Sequence, residues 1–480
     1  MKRRQGIFVF ILTISLFYLI YNTVKLNLIP YIYIIALVIL YIILIGFTIG
    51  FDIKGHKTIA LVMCICLSVS CLGFGSYADK TMETLSKISN ISKQKKKPIY
   101  IYTLKESSIE SKEDLKKKSI GYLIVDEKQS MECIDSLDFK VDTVAYSSSE
   151  NLMNNLNEGL IDSICIDKVY LDIISDYYPD FEETTKLVYT YTIYTEETTS
   201  TISDVDVINE PFTVLISGID TRTGTFDDSD ARSDVNLVAS INPKTHQIFL
   251  LSIPRDYYVE TVCDVSDGCA NGEMDKLTHT GWHGISTTEK TIENLLDIEI
   301  NYNVLVNFQT VVTLVDLLDG VDVYSDYDVE LSGSYHACSV EQGMNHLNGE
   351  CALAFARERY AYVDGDRQRG KNQMEIIRAI IEKCLSTSLL NNFSDILNIM
   401  SDLFQTNMSM NQIMGFVKQQ LEDGSQWMIY QYSLNGESGT DYAYELHDYA
   451  YVMYPDETTI DNAKKDIEAI YNGQEVPYVN

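Results

Sequence analysis

The arginines of this acidic chain are concentrated in one part of it. The formal net charge is -32, and ten arginines stand against 27 lysines, yet eight of the ten lie between Arg222 and Arg378. The stretch 354–370, "AFARERYAYVDGDRQRG", holds Arg357, Arg359, Arg367 and Arg369. A guanidinium binds phosphate oxygens as a planar fork, whereas an ammonium is a point charge. The pattern predicts a phosphate-binding site, and the alternative is a set of surface ion pairs with acids such as Glu358.

Two aspartates stand where a metal ion could join such a site. Asp220 follows the apolar run "VLISGI", and Asp234 opens the next strand in "RSDVN". Strand ends are where α/β folds place ligand chemistry, and Mg²⁺ prefers carboxylate and phosphate oxygens. We therefore expect Asp220 and Asp234 to share Mg²⁺, with Mn²⁺ as a substitute. Each aspartate could instead be a turn residue or a helix cap.

The backbone around the arginines should decide which of them face the site. Pro254 ends a strand in "SIPRD" and leaves Arg255 at its exit. The helix "GECALAFA" is expected to end near Ala356, so that Arg357 and Arg359 project together from extended chain. The segment "DGDRQRG" reads as a turn-rich loop with alternating side chains. On that reading Arg369 faces the site and Arg367 faces away.

The order of the elements along the chain predicts an α/β protein with two folded units that follow a membrane segment. Alternating strands and helices predict a small α/β accessory domain at 99–200, after a polar linker at 81–98. The acidic Ser/Thr-rich stretch 195–211 marks a boundary. From 208 to 480, "FTVLISGID" and the hairpin "VNLVASINPKTHQIFLLSIPRD" supply strands, and "TTEKTIENLL", "FQTVVTLVDLL" and "MEIIRAIIEKCL" supply amphipathic helices. This predicts an α/β sandwich.

Three apolar blocks, at 7–22, 30–50 and 58–77, predict three transmembrane helices within residues 1–80. A signal peptide is the alternative for the first block. The loop cations place the N-terminus inside and everything after about residue 78 outside. In an oxidising exterior Cys263 and Cys269 could close a small disulfide loop. The acidity argues against a nucleic-acid partner, because phosphate backbones require broad basic surface.

Six motifs in order resemble the LytR-CpsA-Psr family: "LISGID", "ARSDVN", "SIPRD", "DKLTH", "FARERY" and "DGDRQRGKNQ". The three membrane helices and the extra unit resemble its capsule-type, CpsA-like members. The resemblance implies an α-β-α sandwich with an apolar tunnel for a polyprenyl tail. It implies a multi-pass membrane phosphotransferase of a Gram-positive-type bacterium, with its catalytic domain outside. Such an enzyme moves a glycan, here a capsular one, from undecaprenyl pyrophosphate to peptidoglycan and releases undecaprenyl phosphate.

The resemblance also assigns residues. The metal acids fall on Asp220 and Asp234. Catalytic roles fall on Arg255, Arg357, Arg359, Asp366 and Arg369, and substrate binding falls on Arg232, Asp256, Lys276 and Gln373. The general base stays open among Asp234, Asp256 and Asp366, and the helices at 308–318 and 374–385 are expected to line the lipid slot.

Two other functions fit the same residues. A non-catalytic receptor could bind wall glycan phosphates, and a lipid pyrophosphatase could use water as acceptor. The acid pair favours an enzyme, because a phosphate binder needs no carboxylates beside its arginines unless a cation bridges them.

Overall fold

The computed structural model describes residues 2–26, 31–88, 94–178, 180–196, 203–219, 231–264, 269–331, 338–363, 365–385 and 404–478. Its first three helices are α1 (Lys2–Leu26), α2 (Tyr31–Ile53) and α3 (Lys57–Ile88). Each contains a span long and apolar enough to cross a membrane: Gln5–Lys25, Tyr31–Ile53 and Lys57–Lys80. Three membrane-type helices are therefore present, and the side on which they leave the chain stays a prediction.

The accessory unit is built around one mixed sheet. Its strands are β1 (Gln94–Leu104), β2 (Ser119–Leu123), β3 (Asp142–Tyr146), β4 (Ser163–Asp167) and β5 (Thr185–Glu196). Its helices are α4 (Glu127–Asp135), α5 (Ser149–Asn157), α6 (Lys168–Tyr177) and α7 (Phe181–Thr184). The sheet order is β3-β2-β4-β1-β5. Strand β2 is parallel to its neighbours β3 and β4, whereas β1 is antiparallel to its neighbours β4 and β5. The predicted α/β unit is confirmed as a mixed sheet.

The structure differs from the sequence expectation in two segments on either side of β1. The stretch 81–98, expected to be a linker, is helical as far as Ile88, and strand from Gln94, where backbone pairing with Glu196 begins. The expected helix in "SKEDLKKK" is a single 3₁₀ turn, Lys112–Leu115. It stops because Lys116 is extended and Lys117 has φ of 65°, so the chain turns into β2 instead of continuing.

The second unit contains the remaining elements. Its strands are β6 (Phe212–Ile219), β7 (Ser233–Asn242), β8 (Gln247–Ile253), β9 (Tyr258–Glu260), β10 (Met274–Lys276), β11 (Tyr302–Asn307), β12 (Val321–Ser325), β13 (Val329–Leu331), β14 (Cys338–Val340), β15 (Gly343–Leu347), β16 (Phe404–Thr406), β17 (Met428–Ser433), β18 (Gly436–Ala443) and β19 (Asp448–Pro455). Its helices are α8 (Ile285–Leu296), α9 (Phe308–Leu317), α10 (Gly349–Arg357), α11 (Asp366–Leu385), α12 (Met410–Asp423) and α13 (Glu457–Tyr471).

A six-stranded sheet with the order β16-β11-β6-β7-β8-β17 forms the centre of this unit. Alternate residues of the buried strands face opposite sides, so both faces are apolar. One face packs Leu215 and Val238 against α8 and α13, and the other packs Val214 and Leu237 against α11 and α12. The α-β-α sandwich expected from the sequence is therefore the fold of this unit.

Helices α9 and α11 share a further core with α10 and the short strands β12 to β15. Leu314 and Ile380, from the two segments expected to line a lipid slot, are both buried in this core. The lipid slot itself stays a prediction. Cys338 is disulfide-bonded to Cys351 here, a pair that the cysteine spacing did not reveal.

A glycine fixes how the 3₁₀ turn at Leu277–His283 packs against the start of β7. A Cβ on Gly281 would lie 2.6 Å from the carbonyl oxygen of Ala231 and would also overlap the backbone nitrogen of Ser233. Backbone cannot move aside as a flexible side chain can, so only glycine allows this approach. The turn and the residues 231–233 are thereby held together.

We predict that Gly281→Ala lowers the free energy of unfolding by about 2 kcal/mol, because overpacking against backbone forces both segments apart. Urea unfolding of the full chain in detergent, followed by tryptophan fluorescence, measures the loss. Gly415→Ala is the matched control, since its Cβ meets only the flexible end of Ile208 at 3.1 Å. Equal effects of the two substitutions would contradict the backbone constraint.

Candidate active site

The site forms where three neighbouring strands end at one edge of the sheet. Strand β7 is antiparallel to both β6 and β8, so its first residues lie beside the last residues of its neighbours. Asn236 pairs with Ile253, which brings Asp234 next to the exit of β8 at Pro254 and Arg255. The sequence prediction that Asp234 and Arg255 belong to one site is consistent with this register.

Arg255 is held between two carboxylates. Its Nη1 donates to Oδ1 of Asp234 at 2.6 Å, and its Nε lies 3.6 Å from Oδ2 of Asp256. The Nζ of Lys276 contacts the other oxygen of Asp256, Oδ1. Because the guanidinium is planar, contacts along two of its edges fix its orientation as well as its position.

Asp256 is the buried anion of this group, with 6% of its surface exposed. Burial alone would raise the pKa of its carboxyl. The neighbouring cations of Lys276, Arg255 and Arg369 outweigh that effect and hold the pKa of Asp256 below its usual range. The predicted substrate-binding residues Asp256 and Lys276 therefore pair with each other and support Arg255 from behind.

A cleft opens in front of Arg255. It is lined by Asp234, Ser252, Ile253, Pro254, Arg255, Arg367, Arg369, Gly370, Gln373, Ser433, Leu434 and Met453. The expected residues Asp234, Arg255, Arg369 and Gln373 thus meet at one opening. Helix α11 approaches β8 at Gly370, where a Cβ would lie 2.9 Å from Oγ of Ser252 and would require that side chain to rotate.

The expectation that Arg367 faces away is wrong. The segment "DGDRQRG" is not a loop with alternating side chains, because α11 already begins at Asp366, directly after Gly365 with its φ of 48°. Arg367 and Arg369 therefore stand in the first turn of a helix, and both line the cleft. Backbone N–H groups at a helix N-terminus attract anions, so this turn adds to the positive potential.

Arg232 belongs to an aromatic stack and is not among the described residues that line the cleft. Its guanidinium carbon lies 5.7 Å from the ring centre of Trp282, and that ring stacks on His279 at 4.3 Å with planes 7° apart. His279 Nδ1 lies 2.6 Å from Oδ1 of Asp275. These residues of the "DKLTH" region, together with Trp282, form an ordered support on which Arg232 rests.

Arg357 and Arg359 contact different aromatic rings. Helix α10 ends at Arg357, one residue beyond the expected Ala356, and Glu358 is extended. The Arg357 guanidinium lies 4.8 Å from the ring centre of Phe308, at the start of α9, and that of Arg359 lies 4.6 Å from Tyr360. Neither lines the cleft among the described residues, so their catalytic roles stay predictions.

Of the two expected metal acids, Asp220 lies outside the described residues. The side chain of Asp366, which was expected to be catalytic, lies outside them too, although its backbone starts α11. Arg255 and Thr278 both contact Oδ1 of Asp234. Asp234 lines the cleft, and carboxylate oxygen is the ligand that Mg²⁺ prefers, so this residue fits one half of the predicted ion site. In the described residues no three acidic, His or Cys side chains gather as a metal cluster.

Sequence reasoning missed the contribution of the C-terminal strands. Ser433, Leu434 and Met453 line the cleft because β17 lies beside β8 and Met453 N–H donates to the carbonyl of Asp256. No polar motif marks these residues, and the only signal was the apolar run "MIYQYSL". Thr278, which donates to Asp234 at 3.3 Å, was visible as the threonine of "DKLTH" but was not singled out.

The fold and the cleft define an α/β protein with three N-terminal membrane-type helices and an arginine-lined cleft. The family model described as the LytR_cpsA_psr family matches residues 180–468. The chain therefore belongs to the LytR-CpsA-Psr family, as its motifs predicted.

Curated relatives and solved structures are similar to part of the chain. Two relatives carry the name polyisoprenyl-teichoic acid–peptidoglycan teichoic acid transferase TagU. The Bacillus licheniformis protein is 32% identical over 203 residues, covering 42% of this chain and 61% of its own length. The Enterococcus faecalis protein is 34% identical over 206 residues, covering 42% and 63%. The matched segment thus spans about three fifths of each relative. The crystal structure of Bacillus subtilis TagV is 26% identical with a TM-score of 0.45, covering 55% of this chain and 98% of that chain.

We predict that Asp256→Asn lowers the free energy of unfolding by about 2–4 kcal/mol at pH 7, because it leaves buried cations without their counter-ion. The folded-state pKa is depressed, so the contribution is complete above the unfolded-state value of about 4 and is lost as pH falls through the folded pKa. Urea unfolding should therefore show the gap between wild type and variant shrinking below about pH 4.

Asp264→Asn is the control for this prediction, because Asp264 pairs with Lys290 at the surface and is half exposed. Its loss should cost at most about 1 kcal/mol. A gap for Asp256→Asn that stays constant from neutral to acid pH would contradict the stated role of the carboxylate.

Proposed function

We propose that the chain is a membrane-anchored phosphotransferase. It moves a glycan from an undecaprenyl-pyrophosphate carrier to peptidoglycan and releases undecaprenyl phosphate. The observation that carries the proposal is the cleft in which Arg255, Arg367 and Arg369 meet beside Asp234. Support also comes from the relatives, whose names describe transfer of a polyisoprenyl-linked polymer to peptidoglycan.

The cleft suits a pyrophosphate because it offers several positive groups around one opening. Arg255 is immobilised between Asp234 and Asp256, and Arg369 is close enough to lower the pKa of Asp256. Guanidinium groups fixed in this way stabilise the charge that develops on phosphoryl and leaving oxygens without reorganising during the reaction.

The chemical step is one displacement at phosphorus. A peptidoglycan sugar hydroxyl attacks the phosphorus that carries the glycan, a new P–O bond forms, and the bond to the bridging oxygen breaks. The electron pair of that bond leaves with undecaprenyl phosphate, and the hydroxyl proton passes to a base. Arg255 and Arg369 neutralise the phosphates on both sides of the breaking bond.

We propose that the general base is a residue other than the buried Asp256. Asp256 is a poor candidate, because Lys276 and Arg255 contact its two oxygens and its pKa is lowered. Asp234 lines the cleft and Asp366 begins α11 beside it, so these two residues stay the candidates for proton acceptor.

Mg²⁺, held by Asp234 and Asp220, would neutralise phosphate charge and polarise the phosphoryl oxygens. Asp234 supports this proposal, because Arg255 and Thr278 hold it in place through Oδ1 while it lines the cleft. With one or two carboxylates plus substrate phosphates, the ligand set is the one that Mg²⁺ usually takes in phosphoryl-transfer sites.

The proposals for the transferred glycan and for the membrane topology rest on features outside the cleft. Three membrane-type helices and an accessory unit favour a capsular polysaccharide as cargo, whereas the named relatives transfer teichoic acid. We propose that the second unit lies outside the cell membrane. Two disulfides, Cys263–Cys269 and Cys338–Cys351, fit an oxidising exterior.

The direct test mixes the full chain in detergent with a lipid-pyrophosphate saccharide, Mg²⁺ and peptidoglycan fragments. Glycan attached to the fragments supports transfer. Free glycan without attachment to the fragments would contradict transfer and indicate a pyrophosphatase. Intact lipid, with lipid binding that does not change in Asp220→Ala, would contradict an enzyme and indicate a receptor.

We expect Arg255→Lys to lower kcat/KM for transfer by roughly 100-fold or more, since lysine keeps the charge but loses the fork between Asp234 and Asp256. Initial rates with labelled lipid substrate measure the effect. Arg378→Lys is the matched control on α11, because Arg378 pairs with Glu375 and Glu382 away from the cleft. An equal loss in both variants would argue against a site-specific role.

Removal of Mg²⁺ with a chelator should reduce transfer by about 100-fold, and added Mg²⁺ should restore it, because the ion carries phosphate charge that the arginines alone leave uncompensated. Asp234→Asn should raise the Mg²⁺ concentration needed for half-maximal rate. Full transfer activity in the presence of the chelator would contradict a role for Mg²⁺ in the reaction.

A further inference from the structure

The hairpin of β18 and β19 presents aromatic residues on one solvent-facing side. Its register pairs Tyr442 with Tyr449, Thr440 with Tyr451 and Ser438 with Met453. Directly paired residues of antiparallel strands share a face, and so do every second residue along each strand. We call Tyr442, Tyr449 and Tyr451 the tyrosine face.

The tyrosine face is continuous with the candidate active site. Met453 lies on the same side of the hairpin, is buried, and lines the cleft together with Arg255. Tyr451 and Tyr449 follow at every second position of β19, about 7 Å apart along the strand. The three residues therefore form a row that leads from the arginine-lined opening to the tip of the hairpin.

These rings are exposed, whereas the opposite side of the hairpin is packed at its centre. Tyr449, Tyr451 and Tyr442 keep 68%, 47% and 39% of their surface. On the other side Val452 and Ala443 are fully buried, and Tyr454, although exposed, packs edge to face on Tyr258. The rings of Tyr442 and Tyr449 meet edge to face at 5.9 Å, and the hydroxyl of Tyr451 lies 3.0 Å from Oγ of Ser438. The face is ordered by these contacts, and contiguous exposed apolar surface of this kind marks an interaction site.

The charge around the face limits what can bind there. Residues 436–455 contain five tyrosines and four acids, Glu437, Asp441, Glu445 and Asp448, and neither lysine nor arginine. A polyanion would be repelled by such a surface. By the register, Glu437, Asp441 and Asp448 lie on the opposite side of the hairpin, so they repel a polyanion through their charge and not by contact with a ligand on the tyrosine face. Tyrosine rings with hydroxyls suit an uncharged polyhydroxylated chain, which can lay the C–H side of its rings on the aromatics and exchange hydrogen bonds with the tyrosine hydroxyls.

We infer that the tyrosine face binds the uncharged sugar backbone of peptidoglycan, the acceptor, and guides it into the cleft. The inference rests on the proposed function for the identity of the acceptor. The donor is the less favoured occupant, because the pyrophosphate that it carries belongs with the arginines of the cleft and not with a hairpin that has acids and no lysine or arginine.

Co-sedimentation with purified peptidoglycan, stripped of all attached polymers, tests this face in the full chain in detergent. The double variant Tyr449→Ala/Tyr451→Ala should bind at least about tenfold more weakly, because two stacking surfaces are lost. Tyr449→Phe/Tyr451→Phe should keep most of the binding, since the rings remain. Tyr194→Ala is the matched control, an equally exposed tyrosine on β5 of the accessory unit.

Unchanged sedimentation of the alanine variant would overturn the inference, as would failure of the wild type to sediment. Loss of donor-lipid binding in the alanine variant, with sedimentation intact, would assign the face to the donor and equally overturn it. Melting temperatures of all variants exclude unfolding as the cause of a loss. If sedimentation depends on the tyrosines while the wild type transfers no glycan, the transferase proposal fails and the wall-binding face stands.

Discussion

The ion pairs of Arg255 are the interaction on which the rest of the site depends. Asp234 and Asp256 hold the guanidinium from two sides, and Lys276 balances the buried charge of Asp256. These four residues carry two positive and two negative charges, so as a group they are formally neutral. The excess positive charge of the cleft comes from Arg367 and Arg369 on α11. The strand side of the cleft thus supplies a fixed geometry, and the helix side supplies the attraction for phosphate.

The register of the central sheet explains why this pairing forms. An antiparallel arrangement of β6, β7 and β8 places the start of β7 beside the exit of β8. Gly281 then allows a 3₁₀ turn to approach that edge more closely than any other residue would, and α11 approaches Ser252 of β8 at Gly370. Trp282 extends the same support toward the accessory unit, because it stacks on His279 and belongs to the buried cluster that includes Leu171 and Ile174 of α6.

Much of the fold could be read from the sequence because its signals are local. The apolar strands, the hairpin at Asn242–Thr245, the amphipathic helices and the three membrane spans each have their own pattern, and the motifs around Asp234, Arg255 and Arg369 indicated the site. The wrong prediction for Arg367 arose where the first residue of one helix decides which way its side chains point. Starting α11 at Asp366 turned an expected loop into a helix and brought Arg367 into the cleft. Met453 and the partner of Cys338 could not be predicted, because long-range packing alone brings them to their places.

The most direct test of the central claim is an experimental structure of the full chain with a bound polyprenyl pyrophosphate. We predict that the pyrophosphate lies in the cleft, with its oxygens at about 3 Å from the guanidinium nitrogens of Arg255 and Arg369. We also predict that Arg255 keeps its contacts with Asp234 and Asp256. A pyrophosphate bound elsewhere, with Arg255 and Arg369 left to the carboxylates, would contradict it.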